Sequence, residues 1–229
     1  KWEEGLLLVL AIAQFTGHPV VQANSYSNIV PFGIHGADAG VQAGEAMLVV
    51  TWNSFALERS TIYSRMLFGI LKLSQFAKDQ HATEHTFYAV LAWSLSALSS
   101  GRFPTHDHIG RAFSPLNDSF RYALSRKGKL AGGFLGAFAE IRGDWKYLKE
   151  TLYLQQHYGT SYICHLCRAH TTHVRNLYTD FHYSAHHRQT LVDPEEWLFH
   201  YMNALFVCPL LLIPGFHVFR IIFDIMHTL

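Results

Sequence analysis

Hydrophobic and polar positions fall in short blocks of alternating character along the first half of the chain, with helical spacing between them. Residues 46–55 (AMLVVTWNSF) and 61–73 (TIYSRMLFGILKL) are rich in β-branched and aromatic side chains and predict two strands, antiparallel neighbours joined by a short turn. Before them, a short apolar run from Ile29 empties into His35-Gly36-Ala37-Asp38-Ala39-Gly40, which predicts a strand ending in a glycine-rich turn with one acid. From Thr83, an N-cap candidate, Phe87, Val90, Leu91, Leu95 and Leu98 line one face of a helix that Gly101 and Pro104 end. Residues 102–129 show little periodicity and predict a loop or broken helix, long enough to favour a functional role over plain connection. An apolar, glycine-punctuated run over 130–141 then stops at Arg142-Gly143, Asp144 follows, and Trp145, Leu148, Leu152 and Tyr153 recur at helical spacing up to Gly159. That pattern predicts strand, tight turn, helix. A last strand is predicted over 219–223.

Two greasy stretches bear on membranes. Residues 5–13 are apolar but fall far short of the roughly 20 residues that span a bilayer, and they predict a buried helix ending near Gly17-His18-Pro19. Residues 204–216 contain Pro209 and Pro214, which fits buried loop and short strand. No membrane partner is expected. The chain starts without Met and breaks off inside the element that carries Phe223 to Leu229, so the expectation is a piece of a longer protein.

Composition narrows the class without naming a function. With 229 residues, 49% of them hydrophobic and 15% charged, the chain has material for a sizeable core. Lys and Arg number 18 against 17 Asp and Glu, so net charge leaves no electrostatic footprint for nucleic acid. Sixteen histidines would make the chain more basic below their ordinary pKa of about 6.5. Three cysteines, two in a C-x-x-C pair, make no disulfide framework and suit a reducing compartment and a metal site.

Put in order, the elements read helix, three strands, helix, strand ending at Asp144, helix, a Cys/His-rich insertion and a last strand, which is the order of the ribonuclease H fold. The expected fold class is therefore α/β (α+β), a ribonuclease H-like mixed sheet with helices on its faces. The expected division is an N-terminal helical segment at 1–27, a core at 28–160, the Cys/His-rich insertion at 161–203 and a last core strand at 204–229. On the His-Gly-Ala-Asp turn (His35 to Asp38), the Gly-Asp-Trp-Lys turn (Gly143 to Lys146) and Asp224-Ile225-Met226-His227, the chain resembles the catalytic core of DDE-type cut-and-paste DNA transposases. The eukaryotic families akin to hAT and to the Kyakuja-Dileera-Zisupton group come nearest in these motifs. The resemblance covers most of residues 28–229.

That resemblance implies site residues. Asp38 falls where such transposases carry their first acid and Asp144 where they carry the second; Asp224 and His227 fit the Asp-x-x-His motif near the fifth strand. The third acid sits on a later helix that these residues do not reach. The close relatives place the acid directly after His-Gly, whereas Ala37 intervenes here, and one residue can turn a side chain to the opposite face. Separated carboxylates suit Mg2+ or Mn2+, because paired divalent ions ~4 Å apart activate a water or 3′-hydroxyl and stabilise the leaving oxygen of a phosphodiester displacement. Each acid also has a plainer reading. Asp144 is a good N-cap for the helix at Trp145, Asp38 a turn residue between glycines, Asp224 a strand-end acid and His227 a surface histidine.

The second constellation is Cys164-His165-Leu166-Cys167, with the spacing of a zinc knuckle, followed by His170, His173, His182, His186 and His187. A structural Zn2+ held by Cys164, Cys167 and two of His170, His173, His182 and His186 is the expectation; two reduced cysteines in a buried turn is the alternative. Two functions follow. One is a metal-dependent DNA strand-transfer and nuclease domain acting on transposon ends, in the nucleus or elsewhere inside the cell, with self-association open. The other is an inactive, zinc-stabilised nucleic-acid or protein interaction module, a transposon remnant.

Overall fold

The computed structural model describes residues 29–40, 46–55, 65–77 and 79–223, with backbone only at 38–40 and 80. The segments 1–28 and 224–229, and with them Asp224 and His227, lie outside the described residues.

Five strands make one mixed sheet in the order β3-β2-β1-β4-β5. β1 (Ile29–Gly40), β2 (Ala46–Ser54) and β3 (Met66–Lys72) are consecutive antiparallel neighbours. On the other side of β1, β4 (Leu135–Gly143) runs parallel to it, and β5 (Ile221–Phe223) runs parallel to β4. Ile34 and Ile141, expected on neighbouring strands, are direct register partners.

Period-two alternation explains which face is buried. Val30, Phe32 and Ile34 of β1 share a face with Leu48, Val50 and Trp52 of β2, and all six are 3% exposed or less. Helices α1 (Gln80–Ser100) and α3 (Trp145–Leu152) both cover that face. The glycines of the sheet locate them: a Cβ at Gly69 would meet Phe87 and one at Gly136 would meet Leu98, both of α1, while one at Gly36 or Gly143 would meet Tyr147 of α3. Leu91, Leu95 and Leu98 of α1 and Leu148 and Leu152 of α3 complete the layer, each worth about 1.5–3 kcal/mol of burial. Behind it, α4 (Pro194–Met202), capped by Asp193 at the N–H groups of Glu195 and Glu196, stacks Trp197 on Tyr201 and faces Phe216, which itself stacks on Phe138 of β4. Arg220 ties this region to the sheet by donating to the carbonyls of Phe138 and Gly215.

The opposite face of the sheet is polar at its centre, where His35, Thr51 and Arg142 are cross-strand neighbours. Among the described residues the two helices packed on the sheet share one face, whereas the sequence predicted helices on both.

Several boundaries differ from expectation. β1 does not end in a turn at Gly36: it continues to Gly40, with Asp38 opposite Leu48. The run expected as strand from residue 130 opens with a 3-10 turn (Ala131–Gly133), because Ala131, Gly132 and Gly133 all take positive φ, and the strand starts at Leu135. α1 begins at Gln80 rather than at Thr83, whose hydroxyl accepts instead from the Ala77 N–H. The loop region 102–129 contains a short helix, α2 (Ser119–Ser125), capped by Asp118. α3 stops at Leu152, short of Gly159, as Tyr153 turns into the left-handed region at φ 54°.

Candidate functional site at the strand ends

Near their carboxyl ends the three parallel strands share one level row, at which β4 ends while β1 runs on to Gly40. Gly36 of β1 is the register partner of Gly143 of β4, and Gly143 is the partner of Phe223 of β5. Asp38 stands two positions beyond Gly36 on β1, Asp144 is the first residue after Gly143, and Asp224 is next in the chain after Phe223. Paired strands lie about 4.8 Å apart. The backbone therefore brings Asp38 and Asp144 to the same end of adjacent central strands, the edge at which open sheets present reactive groups.

Tyr147 explains the two glycines. Its ring, 1% exposed, packs over Gly36 of β1 and the last residue of β4, and a Cβ at Gly36 or Gly143 would overlap it at 1.9 and 2.4 Å. Its hydroxyl accepts from Tyr88, which also bonds Thr151 at 3.0 Å, and burial raises the Tyr88 pKa well above its ordinary value. Asp144, half-buried, accepts the Tyr147 N–H at 2.7 Å through Oδ1 and so caps α3; Oδ2 makes no hydrogen bond among the described residues. The two readings of Asp144 are compatible, since a carboxylate can cap with one oxygen and bind with the other. Trp145 packs against Phe223 at 5.0 Å and Tyr158 at 5.7 Å, closing the β5 side of the row.

On the polar face, His35 binds Asn53 through Nε2 at 2.7 Å. Burial holds its pKa below the ordinary value; the Asn53 bond pulls the other way, and Arg65 and Arg142 add to the lowering. Arg142 pairs with Glu140 at 3.2 Å, leaving its Nε buried and without a partner. Thr51, Arg65 and Leu67 complete a cleft of about 290 Å³ around His35.

The Cys/His segment is an irregular chain pinned beside the same edge. His165, 2% exposed, packs its ring 4.9 Å from Phe223. Neither of its ring nitrogens has a well-formed hydrogen bond; burial drives its pKa down to about 4, against a weaker opposite pull from the Val218 backbone. The thiols of Cys164 and Cys167 face each other, Cys167 donating, which favours thiolate at Cys164 and pushes Cys167 up. The histidines expected to join them are engaged elsewhere. His170 Nδ1 accepts from the N–H groups of Thr172 and His173, His182 bonds Ser184 at 2.7 Å and His186 bonds Asn176 at 2.6 Å; His173 rests edge-on against His170. Among the described residues no three His, Cys, Asp or Glu side chains share reach of one ion. Cys164 and Cys167 thus stand together without a third expected ligand beside them in this structure. His165, buried with neither ring nitrogen well bonded, is the polar group that sequence reasoning did not single out as a ligand; burial, which spacing does not reveal, is what sets it apart, and His187, named with the Cys/His set, is likewise buried with Nδ1 unpartnered.

Among the described residues, no helix is long and apolar enough to cross a membrane. Comparison of the chain with family models, curated proteins and solved structures finds no match.

Proposed function

We propose that this chain is the catalytic core of a DDE-type DNA transposase built on a ribonuclease H-like sheet, acting on phosphodiesters with Mg2+ or Mn2+. The observation that carries the reading is the level row Gly36, Gly143, Phe223, with an acid one or two residues beyond each member. The strand order, with β2 alone antiparallel to its two neighbours, supports the same fold. Asp38 and Asp144 are the residues that would hold the ions, Asp144 through the oxygen not used in capping; Asp224 and His227 are secondary. Bound ions would supply charge neutralisation and an activated oxygen nucleophile for in-line displacement. The protein's part is positional: Tyr147 and the two glycines beneath it fix the strand ends, and the cap fixes the Asp144 rotamer.

Mn2+ titration of the chain tests this. Saturable binding should raise the unfolding free energy by mass action, about 2.7 kcal/mol at a hundredfold excess over Kd. Asp38→Asn and Asp144→Asn should each remove that rise. Asn keeps the cap, so loss of metal response at 144 will not be a folding artefact. A rise that persists undiminished in the double variant would overturn the assignment and leave Asp144 as a helix cap in an inactive interaction module.

A further inference from the structure

The Cys/His segment carries a surface that the acid row does not use. Between residues 157 and 192 lie three arginines, Arg168, Arg175 and Arg188, and one acid, Asp180. All three arginines are exposed, and none forms an ion pair among the described residues. The same stretch leaves five aromatic side chains in water: Tyr158, Tyr162, Tyr178, Phe181 and Tyr183, the last two at 80% and 82% exposure. An exposed Phe forgoes about 1.5–3 kcal/mol of burial, and a cluster of such rings on one segment marks a contact surface.

The rings belong to one locality. Tyr162 and His170 are bridged backbone partners with rings 4.9 Å apart, His170 is bonded through its backbone to both Asn176 and Tyr178, and Tyr178, Phe181 and Tyr183 follow within six residues. Arg175 stands between His173 and Asn176 on the short turn Val174–Asn176. Arginine and exposed rings thus alternate along the loops of one segment, and no strand longer than an isolated bridge is described there for a peptide to extend. A chain of unpaired bases fits it: phosphates meet the guanidinium groups, and bases stack on rings, which is tolerant of sequence because every base has a flat face. A duplex hides those faces and offers only phosphate.

We infer that the surface formed by Tyr162, Arg175, Tyr178, Phe181 and Tyr183 binds single-stranded nucleic acid by base stacking. It lies on the segment whose His165 and Tyr158 pack on Phe223 and Trp145, so it adjoins the acid row, yet binding there needs no divalent ion and stands or falls apart from the catalytic reading.

The test is fluorescence anisotropy of the full chain with a labelled oligothymidine and with a duplex of the same length, in buffer without divalent metal. Oligothymidine should bind at least tenfold tighter than duplex. Phe181→Ala and Tyr183→Ala, which remove rings with little packing, should each weaken oligothymidine binding about 5- to 100-fold, while Phe181→Tyr keeps it. Arg175→Ala should reduce the slope of log affinity against log salt by about one. Equal affinity for duplex, no binding at all, or ring-to-Ala variants that bind as the parent does would each overturn the inference, the last pointing to plain charge attraction. Leu116→Ala, at an exposed loop position outside this surface, should bind oligothymidine like the parent.

Discussion

Tyr147 is the residue on which the candidate site is built. Its ring occupies the space where Gly36 and Gly143 would carry Cβ atoms, with overlaps at 1.9 and 2.4 Å, and the second glycine is further hemmed by the Gly36 carbonyl at 2.6 Å. Gly36→Ala or Gly143→Ala should cost at least the roughly 1–3 kcal/mol typical of overpacking, read as a lowered thermal midpoint. Tyr147→Phe, which keeps the ring and loses the hydroxyl that accepts from Tyr88 at 3.4 Å, should cost about 1 kcal/mol. If Gly36→Ala unfolds at the parent's temperature, the wedge is misplaced. Two buried imidazoles set a pH dependence at the same scale. His35 and His165 have folded pKa values below the ordinary 6.5, that of His165 at about 4, so between those values the unfolded chain takes up protons that the native chain refuses. Their contribution is complete above about pH 6.5 and is lost as pH falls. Urea midpoints measured from pH 7.5 to 5 should decline, and His35→Gln should flatten the decline; an unchanged slope would assign it to other groups.

At the scale of elements, the cap on α3 separates two roles of one carboxylate. Asp144→Ala removes the bond to the Tyr147 N–H and should cost about 0.5–2 kcal/mol, whereas Asp144→Asn should be nearly neutral. Comparable losses in both variants would place the stabilisation in charge rather than in the cap. The elements also show what local pattern carries. β2, β3, the end of α1 at Gly101 and the last strand near Phe223 were legible because alternation, helical periodicity and a left-handed glycine at φ 64° are all local signals. The length of β1 was not. Gly36 read as a turn residue, and the reason it is a glycine lies more than a hundred positions away in Tyr147. α3 ended early for a similar reason: Tyr153 adopts φ 54°, a conformation its side chain disfavours, while its ring packs beside His81 and Phe206. Spacing of Cys and His does not carry the local bonds that orient these rings: His170, His182 and His186 each bond a nearby loop partner through Nδ1.

At the scale of the whole molecule, the described residues cover the sheet on one face, and its two edges among them are unequal. Among the described residues β5 offers three at its edge, too short to recruit much. β3 offers seven, with Leu67 and Ile70 at 56% and 50% exposure and a single charge, Lys72, at its end. A strand that, among the described residues, has no partner on its outer side is a template for another chain's strand, since its edge N–H and C=O groups and apolar side chains are already laid out in register. Concentrated solutions should therefore lose monomer with time through β3 to β3 contact, a loss steeper than first order in protein. Ile70→Lys, on the exposed side of the strand, should slow the growth of light scattering several-fold and leave the thermal midpoint within about 0.5 kcal/mol of the parent. Should the variant scatter as fast as the parent, β3 is shielded and the association begins elsewhere. If the edge is the nucleus, shelf life in this protein is governed by one strand that takes no part in the chemistry proposed for the opposite end of the sheet order.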